Sequence, residues 1–272
     1  MTHSEKIVKL IELLKKEMPE YATKEIPTNE EEQWNMLRGL FNVRPAYPLT
    51  TEFITLQDEV LQKITIDKGI TDVKELEGTK LDPRFILWKG DITSLKADVI
   101  VNAANNHMEG CWVSGHNCID NNIHSFAGCQ MRIECHREMF KLKMQYGDSY
   151  VQPTAVPMIT SGYNLPAKQV IHIVGPVVDG PLSKTHRDEL AQCYRASLEL
   201  AQANRCQSIA FCCISTGVFN FPHGKAAQIA VRTVKKWIAE NPESTIQKVV
   251  FNVFEDEDYQ IYNTLLNKKI KN

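Results

Sequence analysis

The stretch Val99–Asp120 reads VIVNAANNHMEGCWVSGHNCID and joins a strand pattern to a cluster of metal-binding residue types. Val99–Val101 is typical of the end of a buried strand, and α/β proteins bind ligands at the carboxyl ends of strands. Cys111, His116 and Cys118 then follow in a Cys-x4-His-x-Cys arrangement. Zn²⁺ prefers thiolate and imidazole ligands, and three protein ligands leave one coordination position for chemistry. The stretch therefore predicts one catalytic zinc ion per chain, close to a strand end.

The composition indicates a globular protein and excludes several function classes. The 272 residues include 31 Lys and Arg and 33 Asp and Glu, for a formal net charge of −2. Because this balance has no excess of either sign, it predicts no nucleic-acid partner and no membrane partner. Residues 1–16 form a charged amphipathic helix pattern without the apolar core of a signal peptide. The eight cysteines fit free thiols better than disulfides, so we expect a cytoplasmic protein.

The hydrophobic patterns divide the chain into a helical region and an α/β region. Residues 1–75 carry helical spacing only, so we expect an all-helical extension that packs on a main domain at 76–272. Beyond about residue 80, strand patterns alternate with helix patterns. The predicted strands are 85–88, 99–101, 170–174, 209–214 and 249–253, and the predicted helices are 121–140, 187–204, 224–240 and 257–268. Such alternation implies a three-layer α/β domain with a mostly parallel central sheet.

Two further loops follow predicted strands and carry features of nucleotide binding. Residues 90–93 read GDIT, and an acidic side chain beside a free backbone N–H can recognise the amino edge of adenine. The alternative is an ordinary turn, which Gly-Asp pairs commonly form. Residues 214–222 read ISTGVFNFP and precede a helix pattern, so their N–H groups can converge on a phosphate. The alternative for this second loop is a plain strand–turn–helix connection.

Four separated motifs together resemble a known family. GDIT, ADVIVNAANN (97–106), GYNLPAKQVIHIVGP (162–176) and CCISTGVFNFP (212–222) are similar, in order and spacing, to those of macrodomains. Macrodomains are three-layer α/β domains that bind ADP-ribose, and the resemblance covers about residues 83–255. Residues 110–128, GCWVSGHNCIDNNIHSFAG, resemble the zinc-dependent branch of that family. The helical stretch before the macrodomain resembles the extension that this branch carries.

The resemblance implies roles for individual residues. Asp91 would accept from the adenine amino group, and the Ile92 backbone would pair with the adenine ring. The distal ribose would be bound by Asn105, which we also count as catalytic. The diphosphate loop would consist of Ser215, Thr216, Gly217, Val218 and Phe219.

The resemblance also implies a metal site and a catalytic carboxylate. Cys111, His116 and Cys118 would hold zinc in place of the flexible glycine run of other macrodomain hydrolases. Asp120 would activate water, although an Asp in this position is also typical of a helix N-cap. The zinc itself either activates water or holds a ribose oxygen, and three ligands permit both.

These residues lead to one principal hypothesis and two alternatives. The principal hypothesis is a zinc-dependent hydrolase that removes mono-ADP-ribose from protein side chains, with Asp or Glu esters as the expected linkage. The alternatives are a non-catalytic ADP-ribose reader with a structural zinc, and a deacetylase of O-acetyl-ADP-ribose. The resemblance further implies an ADP-ribosylated protein substrate, such as a lipoylated carrier like the glycine-cleavage H protein. It also implies a functional link to a sirtuin-type ADP-ribosyltransferase.

Overall fold

A computed structural model describes residues 1–267, and these residues form two compact units that interleave along the chain. We call Met1–Gly69, Met108–Tyr150 and Tyr163–Leu165 the helical unit. The sheet unit consists of Ile70–His107, Val151–Gly162 and the described residues from Pro166 onward. The expected domain boundary between residues 75 and 76 stays a prediction.

The helical unit is built from five helices: α1 (His3–Glu17), α2 (Glu30–Val43), α3 (Thr51–Lys68), α4 (Ile119–Ala127) and α5 (Cys129–Tyr146). Thr2, Asn29 and Thr50 begin the first three, because each side chain accepts a hydrogen bond from a backbone N–H of the first turn. One apolar cluster joins α1, α2 and α3 and also includes Cys129 at the start of α5. The three N-terminal helices and the start of α5 therefore share a core.

A break at Gly128 separates α4 from α5, so the predicted single helix over 121–140 is wrong. Gly128 has φ of +98°, a conformation that residues with a Cβ rarely adopt. A Cβ there would also lie 2.6 Å from Nε2 of Gln57 on α3. The backbone N–H of Cys129 donates to Oε1 of the same Gln57 at 2.8 Å, which satisfies a free donor at the start of α5.

The sheet unit contains a six-stranded sheet whose strand order is β2-β8-β7-β4-β6-β5. The strands are β2 (Phe85–Lys89), β4 (Val99–Ala104), β5 (Met158–Ser161), β6 (Gln169–Val174), β7 (Ser208–Phe211) and β8 (Lys248–Val253), and the short strands β1 (Thr71–Asp72) and β3 (Leu95–Lys96) pair separately. Every pairing in the larger sheet is parallel except that of β5 with β6. The predicted α/β fold with a mostly parallel sheet and an N-terminal helical segment is confirmed.

In the six-stranded sheet, two strands differ from their predicted bounds by more than one residue, and one strand was not predicted. β4 runs to Ala104 rather than Val101, because the buried Asn102 side chain is hydrogen-bonded to His172 within the sheet. Polar groups are tolerated at such positions when they are paired. β7 ends at Phe211 rather than 214, because its pairing with both β4 and β8 stops there, and the chain then turns at Ser215 with φ of +67°. The antiparallel edge strand β5 was not predicted, because four residues of mixed polarity carry no clear strand pattern.

The remaining helices are α6 (Lys184–Ala203), α7 (His223–Glu240) and α8 (Asp256–Asn267), close to their predicted bounds. The last predicted helical residue, 268, lies outside the described residues. Helix α6 packs on α7 and on β6, while α8 packs on α7, β2 and β8. These contacts bury the apolar faces of the helices, including Trp237 of α7. Among residues 1–267, no helix is both long and apolar enough to cross a membrane.

Candidate functional site

The predicted zinc ligands lie together in the helical unit. Cys111 and Cys118 are half-buried, His116 is exposed, and the ligand atoms of all three lie within 4.8 Å of one another. The Sγ atom of Cys111 lies 3.6 Å from Nδ1 of His116. Tetrahedral zinc with ordinary Zn–S and Zn–N bonds separates S from N by roughly 3.5 Å and two sulfurs by roughly 3.8 Å. The donor types and their spacing therefore fit one zinc ion.

The start of α4 positions the last ligand. Cys118 is the N-cap residue of α4, and its Sγ accepts a hydrogen bond from the backbone N–H of Asn121 at 3.4 Å. The Asn121 side chain donates to the carbonyl of Val113 at 3.0 Å and so ties the loop to the helix. Gly110, just before the first ligand, has φ of +82°, and a Cβ there would lie 2.8 Å from the His124 ring. The loop thus follows a path that requires glycine at its entry.

The electrostatic environment of Cys118 favours a cation beside it. Burial, together with the smaller effects of the neighbouring Cys111 and Asp120, raises the pKa of the Cys118 thiol to about 12. A thiolate in such a place needs compensating positive charge, and metal binding supplies that charge by displacing the thiol proton. The guanidinium of Arg38 also lies close to Cys118, although burial lowers the pKa of Arg38.

Asp120, the predicted catalytic carboxylate, is the second residue of α4 and is buried. Because Cys118 is the N-cap, the alternative interpretation of Asp120 as the N-cap is wrong. Its Oδ1 lies 3.6 Å from Nε2 of His124, one helical turn later. A negative side chain in the first turn is favoured by the helix dipole. Asp120 is two residues from a predicted ligand, and its role in the reaction stays a prediction.

The buried guanidinium of Arg132 on α5 supports the entry to the metal loop, and sequence reasoning missed it. Its Nε donates to the carbonyl of Glu109 at 2.7 Å, and its Nη1 donates to the carbonyls of Phe41 and Arg44 at 3.1 and 2.8 Å. The same guanidinium lies over the ring of Trp112 at 4.1 Å. The sequence carried no signal for this residue, because a lone arginine in a helix pattern is ordinarily on the surface.

In the sheet unit, the predicted adenine-binding residues form a capped turn. Asp91 follows β2 and begins a 3₁₀ turn over Ile92–Ser94. Its Oδ1 accepts from the Thr93 N–H at 2.9 Å and from the Thr93 hydroxyl at 2.6 Å. Ile92 is buried. The turn is therefore well formed, as the alternative interpretation required, while adenine recognition stays a prediction.

Asn105 immediately follows β4. Its Oδ1 accepts a hydrogen bond from the backbone N–H of His107 at 2.9 Å, and the side chain is half-buried. This bond holds the side-chain amide at the carboxyl end of the strand. The ribose-binding and catalytic roles of Asn105 stay predictions.

The predicted diphosphate loop over residues 215–219 connects β7 to α7. Ser215 is buried against Gly175, where a Cβ would lie 2.1 Å from the Ser215 Oγ, so glycine is required there. Within residues 1–267 this Oγ has no hydrogen-bond partner. The carbonyl of Phe219 accepts from the Val178 N–H at 2.9 Å, whereas Val218 is 73% exposed. The loop lies directly before a helix N-terminus, which is the arrangement that favours an anion.

Three predicted binding loops lie at one edge of the sheet. They follow β2, β4 and β7, which are parallel members of the same sheet. The carboxyl ends of parallel strands point the same way, so the sheet brings the three loops to the edge where α/β folds bind ligands. The metal ligands and Asp120, in contrast, belong to the helical unit.

Comparisons with known proteins agree with this architecture. A family model described as "Macro domain" matches residues 101–230. The chain is 46% identical over 270 residues to a protein-ADP-ribose hydrolase of Treponema medium, covering 98% of this chain and 100% of that protein. It is also 46% identical to a protein-ADP-ribose hydrolase of Staphylococcus aureus (strain MSSA476), covering 89% of this chain and 88% of that protein. Among solved structures, a Trypanosoma brucei macrodomain in complex with ADP-ribose superposes with a TM-score of 0.63 at 28% identity, covering 81% of this chain and 92% of that one.

Proposed function

Since the chain belongs to the macrodomain family, we propose that it is a zinc-dependent hydrolase that releases mono-ADP-ribose from protein side chains. It is an enzyme of the protein-ADP-ribose hydrolase class, as its similarity to such hydrolases over nearly the whole chain indicates. The zinc dependence is our proposal, and the observation that carries it is the arrangement of Cys111, His116 and Cys118, whose ligand atoms lie within 4.8 Å of one another.

We assign ADP-ribose binding and bond cleavage to two sets of residues that share Asn105. Binding of ADP-ribose falls to the loops at the carboxyl edge of the sheet, through Asp91, Ile92, Asn105 and residues 215–219. The free Ser215 hydroxyl supports this assignment, because a buried polar group without a partner in the described chain suits a ligand oxygen. Cleavage falls to Asp120 and Asn105.

The chemistry needs an oriented water molecule and a stabilised leaving oxygen. A zinc ion bound by the three ligands would supply Lewis-acid polarisation of an oxygen atom of water or substrate. Asp120 would take a proton from the attacking water or hold it in place, since a buried carboxylate is a suitable general base. We further propose that Asp and Glu esters are the preferred linkages, because attack of water at the anomeric carbon then releases a carboxylate, which is a better leaving group than the guanidine of an arginine linkage.

The test is release of free ADP-ribose from a protein modified on glutamate. We expect both chelated wild type and Cys111→Ser to lose about 10²-fold or more in rate, the usual cost of one oriented charge-stabilising group. Addition of zinc should restore the rate of the chelated wild type but not that of Cys111→Ser. Cys206→Ser serves as the matched control, because this buried thiol lies beside Gln169 in the sheet unit.

The outcomes separate the alternatives. Equal release of ADP-ribose by wild type and Cys111→Ser would contradict a role of zinc in the reaction. Retained ADP-ribose binding without turnover on any linkage would favour a reader, and faster turnover of O-acetyl-ADP-ribose than of modified protein would favour a deacetylase. Comparing glutamate-linked with arginine-linked substrate tests the ester preference.

The lipoylated carrier and the sirtuin-type transferase remain part of the proposal as substrate and source of the modification. They rest on the sequence resemblance alone. A carrier modified by such a transferase should be hydrolysed faster than an unrelated protein bearing the same linkage. Equal rates for the two substrates would contradict this preference.

A further inference from the structure

Helix α2 contacts the metal loop through the side chain of Arg38. A single guanidinium nitrogen, Nη2, donates to the carbonyl of His116 at 2.7 Å and to the side-chain oxygens of Asn121 and Asn122 at 3.0 and 2.9 Å. Arg38 therefore joins the backbone of one predicted metal ligand to the first turn of α4, whose N-cap is another predicted ligand, Cys118.

Asn42, one helical turn after Arg38, makes a second pair of contacts with the same region. Its Oδ1 accepts from the backbone N–H of Gly115 at 2.9 Å, directly before His116. Its Nδ2 donates to the hydroxyl of Ser125 at 2.8 Å, and that hydroxyl donates to the carbonyl of Asn121 at 2.7 Å. Asn42 is only 1% exposed, so these bonds are shielded from water. Both amide ends of the side chain are thus used to hold the loop against α4.

Between these two residues, Gly39 allows the loop to lie directly on the helix. A Cβ on Gly39 would lie 2.6 Å from the Oγ of Ser114, which stands between the first and second predicted ligands. Glycine within a helix costs stability relative to alanine, so its presence here indicates a packing requirement. Arg38, Gly39 and Asn42 are spaced so that they share one side of α2.

We propose that α2 is the support of the metal centre, with Arg38 and Asn42 as positioning residues that hold the loop ready for zinc. The inference rests on the proposed metal site and deepens it. Fixing the backbone of a loop costs conformational entropy at every residue. Contacts that already order the loop in the folded, metal-free chain reduce the conformational entropy that is lost when the metal binds. The bonds to the His116 carbonyl and the Gly115 amide fix the backbone of these two residues. This backbone sets the direction of the His116 imidazole.

The N-terminal helices then have a function beyond covering apolar surface. Side-chain partners that orient metal ligands typically contribute roughly 10–100-fold in metal affinity. We expect a loss of this size in Arg38→Gln and in Asn42→Ala. Arg38→Lys should recover part of the loss, because all three Arg38 bonds come from one nitrogen with two N–H groups, and an ammonium group has three N–H donors on one nitrogen.

The experiment measures metal binding by the full-length chain, without reference to catalysis. Zinc affinity is measured by competition with a chromophoric chelator, and Co²⁺ spectra report the geometry of the bound ion. Arg137→Gln is the matched control, since this arginine of α5 is largely exposed and pairs with Glu138. Asn42→Ala changes no charge. A loss of zinc affinity in this variant therefore reports positioning of the loop and not an electrostatic effect of the kind that Arg38 could exert.

Hydrogen exchange of the metal-free chain provides the second measurement. The Gly115 amide should exchange faster in Asn42→Ala than in wild type, because its acceptor is removed. Faster exchange, together with weaker zinc binding and altered Co²⁺ spectra in both variants, supports the proposal. Affinities within twofold of wild type, or a uniform loss of protection across α1–α3, would overturn it.

Zinc binding by the wild type separates failure of the supporting role of α2 from failure of the proposed function. If the wild type binds zinc tightly and Arg38→Gln binds it equally well, the support role fails while zinc-dependent hydrolysis stands. If the wild type binds no zinc at the loop, both fail together.

Discussion

Asp120 combines a buried position with a place beside the proposed metal loop. Replacing it by asparagine keeps the size of the side chain but removes the base. We expect Asp120→Asn to lower kcat by about 10²–10⁴-fold while ADP-ribose binding is retained, the range typical of one general base. Single-turnover release of ADP-ribose and calorimetric binding of the product measure the two effects. Asp148→Asn is the control because Asp148 is exposed in the same unit; a similar drop in both variants would argue against a catalytic role.

The His172 ring is buried in the sheet and is hydrogen-bonded to two neighbouring side chains. Its Nδ1 accepts from the Asn102 side-chain amide at 3.0 Å, so the proton lies on Nε2, which donates to the Thr160 hydroxyl at 2.9 Å. Complete burial lowers the pKa of His172 to about 3 from 6.5. The neutral form is therefore strongly preferred in the folded state.

This lowered pKa makes stability depend on pH in one direction. Above pH 6.5 the histidine is neutral in both states and its contribution is constant; below 6.5 only the unfolded chain takes up the proton, down to the folded pKa of about 3. The free energy of unfolding should then fall by about 1.4 kcal/mol per pH unit as pH drops below about 6. Urea unfolding of wild type and His172→Gln at several pH values between 7.5 and 4.5 checks this. Identical slopes for the two proteins would contradict the assignment.

At the scale of the elements, the junction between α4 and α5 depends on Gly128. Both Gly128 and Gly147 have strongly positive φ, +98° and +103°, but only at Gly128 would an added Cβ meet another residue, with Nε2 of Gln57 2.6 Å away. Gly147→Ala should cost about 1–3 kcal/mol through backbone strain alone. Gly128→Ala should cost more, because the Gln57 contacts must also shift. Chemical denaturation measures both, and equal losses would show that the close approach of Gln57 is unimportant.

Helix α2 contacts both the apolar cluster of the helical unit and the metal loop, through different side chains. Leu37 and Leu40 belong to the apolar cluster of the helical unit, while Arg38 and Asn42 contact the metal loop. The apolar spacing of this helix was visible in the sequence. The contacts of Arg38 and Asn42 were not, because an arginine and an asparagine among apolar residues of a helix are equally typical of a solvated face.

At the scale of the whole molecule, the N-terminal helices and the proposed metal ligands belong to one compact unit. Deleting residues 1–69 removes α1, α2 and α3 and exposes Cys129 of the shared core. We expect the shortened chain to aggregate or to bind zinc at least tenfold more weakly, consistent with loss of supporting contacts. Size-exclusion chromatography and zinc titration test this. A monodisperse deletion variant with the zinc affinity of the full chain would contradict it.

The sequence by itself determined the class of fold, the approximate helices and strands, and the set of candidate ligands. Continuous apolar runs predicted β2, β6 and β8 within a residue or so at either end, since burial on both faces leaves a strong local pattern. The spacing of Cys111, His116 and Cys118 was enough to predict a shared site, because short loops keep such residues close. These features depend on residues near one another in the chain.

Only the tertiary structure decided which parts of the chain support that site. Arg38 and His116 are 78 residues apart, and Asn42 and Gly115 are 73 apart, so no local periodicity connects them. The break at Gly128 likewise depends on Gln57 of another helix. Such hydrogen bonds form between groups that any exposed helix could carry. They become specific only when the apolar core of α1, α2 and α3 fixes α2 against the metal loop and so excludes water from Asn42.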